Sequence, residues 1–341
     1  MGLLNLLKFI TKNFRKYTMK LWWHKLNNWE YWPVYIVYLP TFFLWISYMI
    51  KFRSFRFYVL ANPKIKNGGF YGDSKMDIYK LFPKNLYPKT ILIKKTNTIN
   101  FKELLHENNL NFPVITKPDI GQRGVAVDKI YSIEKLESYY NTINENFLIQ
   151  ENIHFPNEIG LFYCRIPNEP NGKITGITNK KFLSVIGNGK DTLEELLQKK
   201  PRYAIQIPKL KNKIDLSEVL PPNVEKCLVP FGNHSRGTEF LDGKELITEK
   251  LEIVFNAILS KIEGFYFGRL DIRFNTFAEL EQGINFSIIE LNGVKSEPSH
   301  IYDPKYSFLV GQREIFRHQK IIRKIVEQIT SGNTGNHCTS L

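Results

Sequence analysis

Residues Phe265 to Gly293 read "FYFGRLDIRFNTFAELEQGINFSIIELNG", and no other stretch narrows the fold as much. Two apolar runs flank a polar segment with the length and the glycine of a hairpin connection. Side chains alternate faces along a strand. Arg269, Asp271 and Arg273 therefore share one face of the first run, with Leu270, Ile272 and Phe274 behind them. In the second run Glu290 and Asn292 share a face, backed by Ile289 and Leu291. Paired as a hairpin, the two runs gather an Asp, a Glu, an Asn and an Arg on one surface. Two solvent-facing strands are the alternative, but such faces carry Lys, Thr or Ser more often than this oxygen set. Two carboxylates and an amide oxygen suit Mg2+, which takes hard oxygen ligands and shares its shell with phosphates and water. An adjacent arginine stabilises charge on a transferring phosphoryl group. The stretch predicts a site for nucleotide phosphates.

At 341 residues the chain has room for two or three compact units and a sizeable core. Its three cysteines, Cys164, Cys227 and Cys338, have neither CxxC nor zinc-site spacing, which fits a reducing compartment without structural disulfides. No HExxH, GxSxG or GxGxxG is present, and "SVIGNGKD" lacks the first glycine of a phosphate-binding P-loop. Metalloprotease, serine hydrolase, dinucleotide dehydrogenase and P-loop readings therefore find no support.

Charge is concentrated at one end. Residues 1–66 hold eleven Lys or Arg against one acid, Glu30, a net +10 of the chain's +14. Within them Tyr31 to Ile50, "YWPVYIVYLPTFFLWISYMI", runs for twenty residues without a charge. As a helix that length matches a hydrocarbon core of about 30 Å. Trp22, Trp23, Trp29, Tyr31 and Trp32 cluster at its start, like an interfacial aromatic belt. No small-residue cleavage site follows it, unlike a removable signal peptide. Basic residues beside an apolar segment favour an anionic membrane surface over nucleic acid. An aromatic cap packed on a soluble domain is the alternative. Basic residues stand on both sides of the segment and Pro40 lies near its centre, so it is expected to dip into one leaflet, or lie along it, and return to the same side.

Beyond a loop-like "ANPKIKNGGFYGDSK", helices are expected at "DIYKLFP", "FKELLHENNL", "SIEKLESYYNTI" with Ser132 as its cap, "DTLEELLQKK" and "ITEKLEIVFNAILSKI". Strands are expected at "FPVITKP", in "IGQRGVAVDKI", and at "NFLIQENI", "EIGLFYCRI" and "KITGITNKKFLSVIG". Sheets with flanking helices make the fold class α+β. Residues 1–60 are expected to form the basic, apolar region, 61–100 a reduced segment ahead of the main domain, 101–330 that domain, divided near 155/156, and 331–341 a disordered tail. Lys117 ends one strand directly before a turn containing Gly121 and Gly124. It is either a solvated strand end or a grip on phosphate, the glycines allowing close backbone approach.

Several of these stretches, in order over residues 73–325, resemble the ATP-grasp superfamily. "FPVITKPDIGQRGVAV" is similar to the strand, lysine and glycine loop of D-alanine–D-alanine ligases, and "FLIQENIHFPNEIGLF" to their nucleotide hinge. "GRLDIRF" followed by "IIELNG" matches the Arg-x-Asp and Glu-x-Asn pair, and "GDSKMDIYKLFP" the helix bearing the first nucleotide lysine. "GNHSRGT" is similar to a turn of glutathione-synthetase and glutamate-ligase relatives, and "SVIGNGKDTLEEL" to a segment of cyanophycin synthetases.

The resemblance implies a carboxylate–amine ligase that uses ATP and one or two Mg2+ ions, with Mn2+ as an alternative. It implies two α+β subdomains gripping ATP. Lys75 and Lys117 would contact the phosphates, with Gly121 and Gly124 in the loop beside them. Glu151, Asn152 and Ile153 would line the adenine hinge, and Glu158 would take the ribose hydroxyls. Asp271, Glu290 and Asn292 would hold the metal, and Arg269 would face the reaction centre. Arg236 would touch phosphate or the acceptor, or else form a loop salt bridge. Lys180 and Lys181 lie on a strand that borders the nucleotide; Lys181 is taken into the set, the sequence leaving open which of the two points inward. Because ATP is cytosolic, the catalytic part is expected on the cytoplasmic face of the membrane. The chain departs from the peptide ligases after Asn292, where "GVKSEPSHIYD" brings Lys295, Glu297 and His300 to the place of the acceptor. D-alanine is therefore not assigned. A phosphotransferase on the same fold and a nucleotide-binding membrane scaffold without turnover are the alternative readings.

Overall fold

The computed structural model describes residues 19–95, 99–121 and 124–333, with the side chains of 332 and 333 left aside. The basic residues Lys8, Lys12, Arg15 and Lys16, the Gln122–Arg123 pair of the glycine turn, and the tail from 334 onward lie outside the described residues. The chain divides into two compact units.

The second unit comprises Leu44–Asn179, Asp242–His300 and, within Glu314–Leu341, the residues described. It holds two antiparallel sheets. In one, strands β1 (Thr90–Ile93), β4 (Phe147–Glu151), β2 (Val114–Pro118) and β3 (Asp128–Ile130) follow one another in that order. Helices α4 (Phe101–Glu107) and α5 (Ile133–Thr142) close its core of Ile93, Leu105, Val114, Leu136, Phe147 and Ile149. Ser132 caps α5 by accepting from the Lys135 amide, and Asn100 caps α4 from Glu103.

In the other sheet β11 (Phe286–Asn292), β10 (Phe267–Phe274), β5 (Asn157–Cys164) and β6 (Lys173–Lys181) are neighbours in that order. Helix α9 (Glu249–Leu259) turns Leu251, Phe255 and Leu259, spaced by one turn, onto this sheet's apolar face. Its cap is Thr248, which accepts from the Leu251 amide. Phe255 is fully buried, and cutting such a ring to alanine costs about 3–5 kcal/mol. The segment joining β10 to β11 is more than a loop. It contains α10 (Phe277–Leu280), started by a reciprocal cap between Thr276 and Glu279. The short helix α3 (Lys75–Tyr79) opens at Ser74.

The first unit comprises the described part of Met1–Phe43, with Lys180–Leu241 and Ile301–Arg313. Here β7 (Leu183–Ile186) pairs with β8 (Glu225–Val229), and α6 (Leu193–Gln198), α7 (Pro201–Ala204) and α8 (Ile207–Leu210) pack Leu193, Leu197, Tyr203 and Leu210 against them. The boundary between the units passes through β6 and through β9 (Glu239–Asp242). The unit also contains Trp29, which is buried rather than at an interface. Its ring lies 4.9 Å from that of Tyr302, and its Nε1 donates to the Tyr306 carbonyl at 3.2 Å.

Helix α1 spans 19–27, and α2 runs unbroken from Val34 to Phe52 through Pro40. Of the two arrangements expected, the dip needs a turn back at Pro40 and none occurs, while lying along the surface needs no such turn. A long helix absent from the expected set, α11 (Phe308–Asn333), closes the described chain. Cys164 and Cys227 are free thiols, and burial pushes that of Cys164 up to about 12.

Candidate active site

The hairpin pairs as its alternation dictates. Asp271 stands opposite Glu290 and Arg269 opposite Asn292. A bulge follows Asp271, so Ile272 pairs with Ile288 and the register slips by one residue at Ile289. Asp271 is buried, whereas Glu290 and Asn292 are half-buried. On its other side Asp271 faces Gly160 of β5. A Cβ at Gly160 would meet Arg269 Cδ at 3.2 Å and Asp271 Oδ1 at 3.3 Å, so the glycine gives these two side chains their room. A glycine inside a strand pattern is the sequence signal for this residue.

Arg269 and Asp271, expected in separate roles, form one ion pair. Nε donates to Oδ1 at 3.0 Å and Nη2 to Oδ2 at 3.4 Å. Nη1 reaches Ser299 Oγ at 3.2 Å and the Glu297 carbonyl at 3.3 Å. Burial works against the guanidinium charge, but Asp271, Glu290 and Glu297 outweigh it and raise the pKa further.

Lys117 is brought to this hairpin from the other sheet of the same unit. Its ammonium donates to the Ile289 carbonyl at 3.2 Å, to Gln150 Oε1 at 2.9 Å and to Tyr79 Oη at 2.9 Å. Tyr79 in turn donates to the Ile289 carbonyl. Lys117 is thus a buried, three-bonded ammonium rather than a solvated strand end. Tyr79 and Gln150 were not singled out from the sequence, although a glutamine inside the buried run "FLIQE" is itself a signal.

Lys75, in the first turn of α3, donates to the carbonyls of Pro118, Asp119 and Gly121 at 3.1, 3.2 and 3.0 Å. Asp119 Oδ1 accepts from Ser74 Oγ and the Met76 amide, both at 3.0 Å, tying α3 to the turn after β2. Burial pushes the Lys75 pKa down. Glu290 and Asp73 oppose that, while Lys117 and Lys295 add to it. Lys295 pairs with the buried Asp73 at 3.0 Å. Gly124 adopts a left-handed φ of 68°, as a tight turn requires. Gly121 does not, and the turn between them lies outside the described residues.

Glu151 ends β4, where its amide donates to the Lys89 carbonyl at 2.8 Å. Asn152 Nδ2 lies 3.2 Å from His154 Nε2, and Ile153 is half-buried. Glu158 is buried, with Oε2 accepting from Arg273 Nε at 2.9 Å. Lys181 and Arg236 belong to the first unit. Lys181 is exposed, while its neighbour Lys180 is buried with its ammonium 5.9 Å from the centre of the Phe240 ring. Arg236 sits in the turn that Asn233 caps, its guanidinium 5.5 Å from the Phe231 ring. Among the described residues no group of three or more His, Cys, Asp or Glu is placed to hold a metal. The hairpin's oxygen set is two carboxylates and an amide.

No family model and no curated protein matches the chain. Solved structures to which it is similar include D-alanine–D-alanine ligase from Bacillus anthracis, at 14% identity over 77% of this chain and 69% of that one, with a TM-score of 0.40. The same enzyme complexed with ATP gives 14% identity, 77% and 68% coverage, and a TM-score of 0.40. A bifunctional glutathione synthetase from Pasteurella multocida gives 14% identity over 73% of this chain and 38% of that one, with a TM-score of 0.37. These are the two kinds of enzyme that the sequence motifs resemble. At such TM-scores the functional reading rests on the chain's own residues.

Proposed function

We propose that the chain is an ATP- and Mg2+-dependent ligase joining a carboxylate to an amine through an acyl phosphate, with release of ADP and phosphate. The observation that carries the reading is the bond from Lys117 to the Ile289 carbonyl. It sets the ammonium of the glycine-turn strand beside the residue that precedes Glu290. Lys75 is electrostatically linked to the same glutamate. A triphosphate needs such cations and such carboxylates together.

Asp271, Glu290 and Asn292 are the residues that would hold Mg2+. Their hard oxygens on facing strands fit that ion, and Glu290 is the more accessible carboxylate. Bound there, Mg2+ would offset charge on the phosphates. Lys75 and Lys117 would each exchange an internal hydrogen bond for a phosphate oxygen, Glu151, Asn152 and Ile153 receive the adenine, and Glu158 the ribose. An oxygen of the substrate carboxylate bonds to the γ-phosphorus as the bridge to the β-phosphate breaks and ADP leaves. The amine then attacks the acyl carbon, phosphate departs with the C–O bond electrons, and the amine sheds a proton to solvent. Arg269, held by Asp271 and Ser299, faces the oxyanion of that tetrahedral adduct.

ADP release measured with pooled carboxylic acids and amines tests this. Release that needs both an acid and an amine supports the ligase. Release with an alcohol acceptor alone indicates a phosphotransferase, and none with any pool indicates a nucleotide-binding protein without turnover.

A further inference from the structure

The two faces of α2 have opposite surroundings. On one face Val37, Thr41 and Tyr48 are buried. That face is held by α11: Gln312 Nε2 donates to the Val37 carbonyl at 2.8 Å, Trp45 Nε1 donates to Gln319 Oε1 at 2.6 Å, and Lys51 pairs with Glu327. On the other face Tyr35, Leu39, Phe42, Phe43, Ile46 and Ile50 are exposed, Ile50 by 73% and Tyr35 by 72%. At the helical repeat these six fall within an arc of about 100°, one unbroken apolar stripe. Phe55, just beyond the helix, is 83% exposed. Soluble surfaces rarely leave so long a run to water.

The surrounding charge decides what covers the stripe. Lys20 and Lys25 before the helix and Arg53 and Arg56 after it are exposed, within a segment of net +10. Protein interfaces are depleted in lysine at their cores, whereas an anionic lipid surface attracts such flanks. Trp22 and Trp23, 58% and 53% exposed, have the amphipathic rings that settle among lipid headgroups. A crossing of the bilayer is a different matter. The helix is long and apolar enough to span. Yet its inner face is bonded to Gln319 and Glu327 of α11, whose Arg317, Lys320, Arg323 and Lys324 would be drawn into hydrocarbon with it, where each charge is costly.

We propose that α2 is an in-plane anchor that lies along an anionic membrane surface, with its stripe sunk at the headgroup–acyl boundary and α11 on the side away from the lipid. The choice of the cytoplasmic leaflet alone rests on the proposed use of ATP.

The test uses the full chain and two kinds of vesicle, phosphatidylcholine alone and phosphatidylcholine with phosphatidylglycerol. The chain should float with the anionic vesicles. The double variant Phe43→Ser, Ile50→Ser should bind them at least about tenfold more weakly, the equivalent of about 1.4 kcal/mol, while its circular dichroism and ADP release stay unchanged. For depth, Cys227→Ser and Cys338→Ser provide the background, Cys164 being buried. An environment-sensitive dye is then attached at Tyr35→Cys, Phe43→Cys or Ile50→Cys and quenched by brominated lipids. Equal, shallow depths at all three support the in-plane anchor. A deep maximum at Phe43 shows a span and overturns it. Absence of flotation overturns it too, and dimers in sedimentation that the double variant abolishes would assign the stripe to a second copy instead.

Discussion

Each unit has a buried arginine–carboxylate pair, and the two differ in what stands next to them. In the first unit Arg202 holds Glu30, the only acid among the first 66 residues. Arg202 also donates to the Thr238 carbonyl at 3.3 Å, and His234 Nε2 lies 3.1 Å from Glu30 Oε2. Burial opposes the Glu30 charge, but His234 and Arg202 win and lower its pKa. In the second unit Arg269 holds Asp271 through two contacts, yet Glu290 stands directly across the strand pair and Lys75 senses Glu290, Lys117 and Lys295 at once. Burial and pairing are common to both. The proposed site differs from the structural pair by a surplus of charged groups around it, the kind of surplus that folding alone does not need.

The widest separation should come from Asp271→Asn. ATP turnover should fall by at least about a thousandfold, roughly 4 kcal/mol of transition-state stabilisation. The amide oxygen still accepts from Arg269 Nε, and Glu290 and Glu297 still face the guanidinium, so the unfolding midpoint should move less than in a variant that strips Arg202 of Glu30. Wild-type turnover in Asp271→Asn would make the second pair as structural as the first.

Glu30→Gln should do the reverse. It leaves the Arg202 charge buried without its counterion, which costs about 3–5 kcal/mol in chemical denaturation. ADP release per folded molecule should be unchanged, and a selective loss of activity would erase the contrast between the pairs.

A third expectation separates stability from chemistry inside the second unit. His318 packs on Phe162, with Thr175 Oγ1 at 3.1 Å from Nε2. Burial, helped by Arg317 and His300 and opposed by Glu314, lowers its pKa from 6.5 to about 3. The unfolded chain takes up this proton below pH 6.5 and the folded one does not until about pH 3. Stability is therefore present above pH 6.5 and lost as the pH falls through that window, by about 2 kcal/mol at pH 5. Urea midpoints at pH 7 and pH 5 should show a slope that His318→Gln flattens. An equal slope in the variant would place the titration elsewhere.

The smallest effect is expected at Lys117→Met. The apolar stem remains, and the ATP dissociation constant should rise by an order of magnitude, about 1.4 kcal/mol. Calorimetry giving the wild-type constant would mean that the three internal bonds of Lys117 are its whole role.

The hairpin was legible because period-two alternation fixes both faces at once, and carboxylates on a strand between apolar neighbours are rare enough to notice. Ser132, Thr192 and Thr248 likewise cap helices that were expected. The long α11 was not anticipated. Arg, Lys, Gln and Glu interrupt it at nearly every turn, and its apolar residues Ile315, Ile322, Ile325 and Val326 become a face only against a partner. The company of Lys117 was hidden for another reason. Tyr79 and Gln150 lie 38 and 33 residues from it, and a side-chain network of that span leaves no local pattern. Trp29 shows the converse failure, since a tryptophan beside an apolar segment reads alike whether it meets lipid or Tyr302.

If the hairpin's carboxylates and the lysines meet to hold a metal-bound nucleotide, the metal and the nucleotide must bind together. Titrating ATP into the full chain by calorimetry, with and without Mg2+, for the wild type and Glu290→Gln, tests it most directly. Mg2+ should tighten ATP binding by the wild type by about tenfold or more and leave the variant unaffected. Equal Mg2+ dependence in both proteins, or no ATP binding by the wild type, would contradict it.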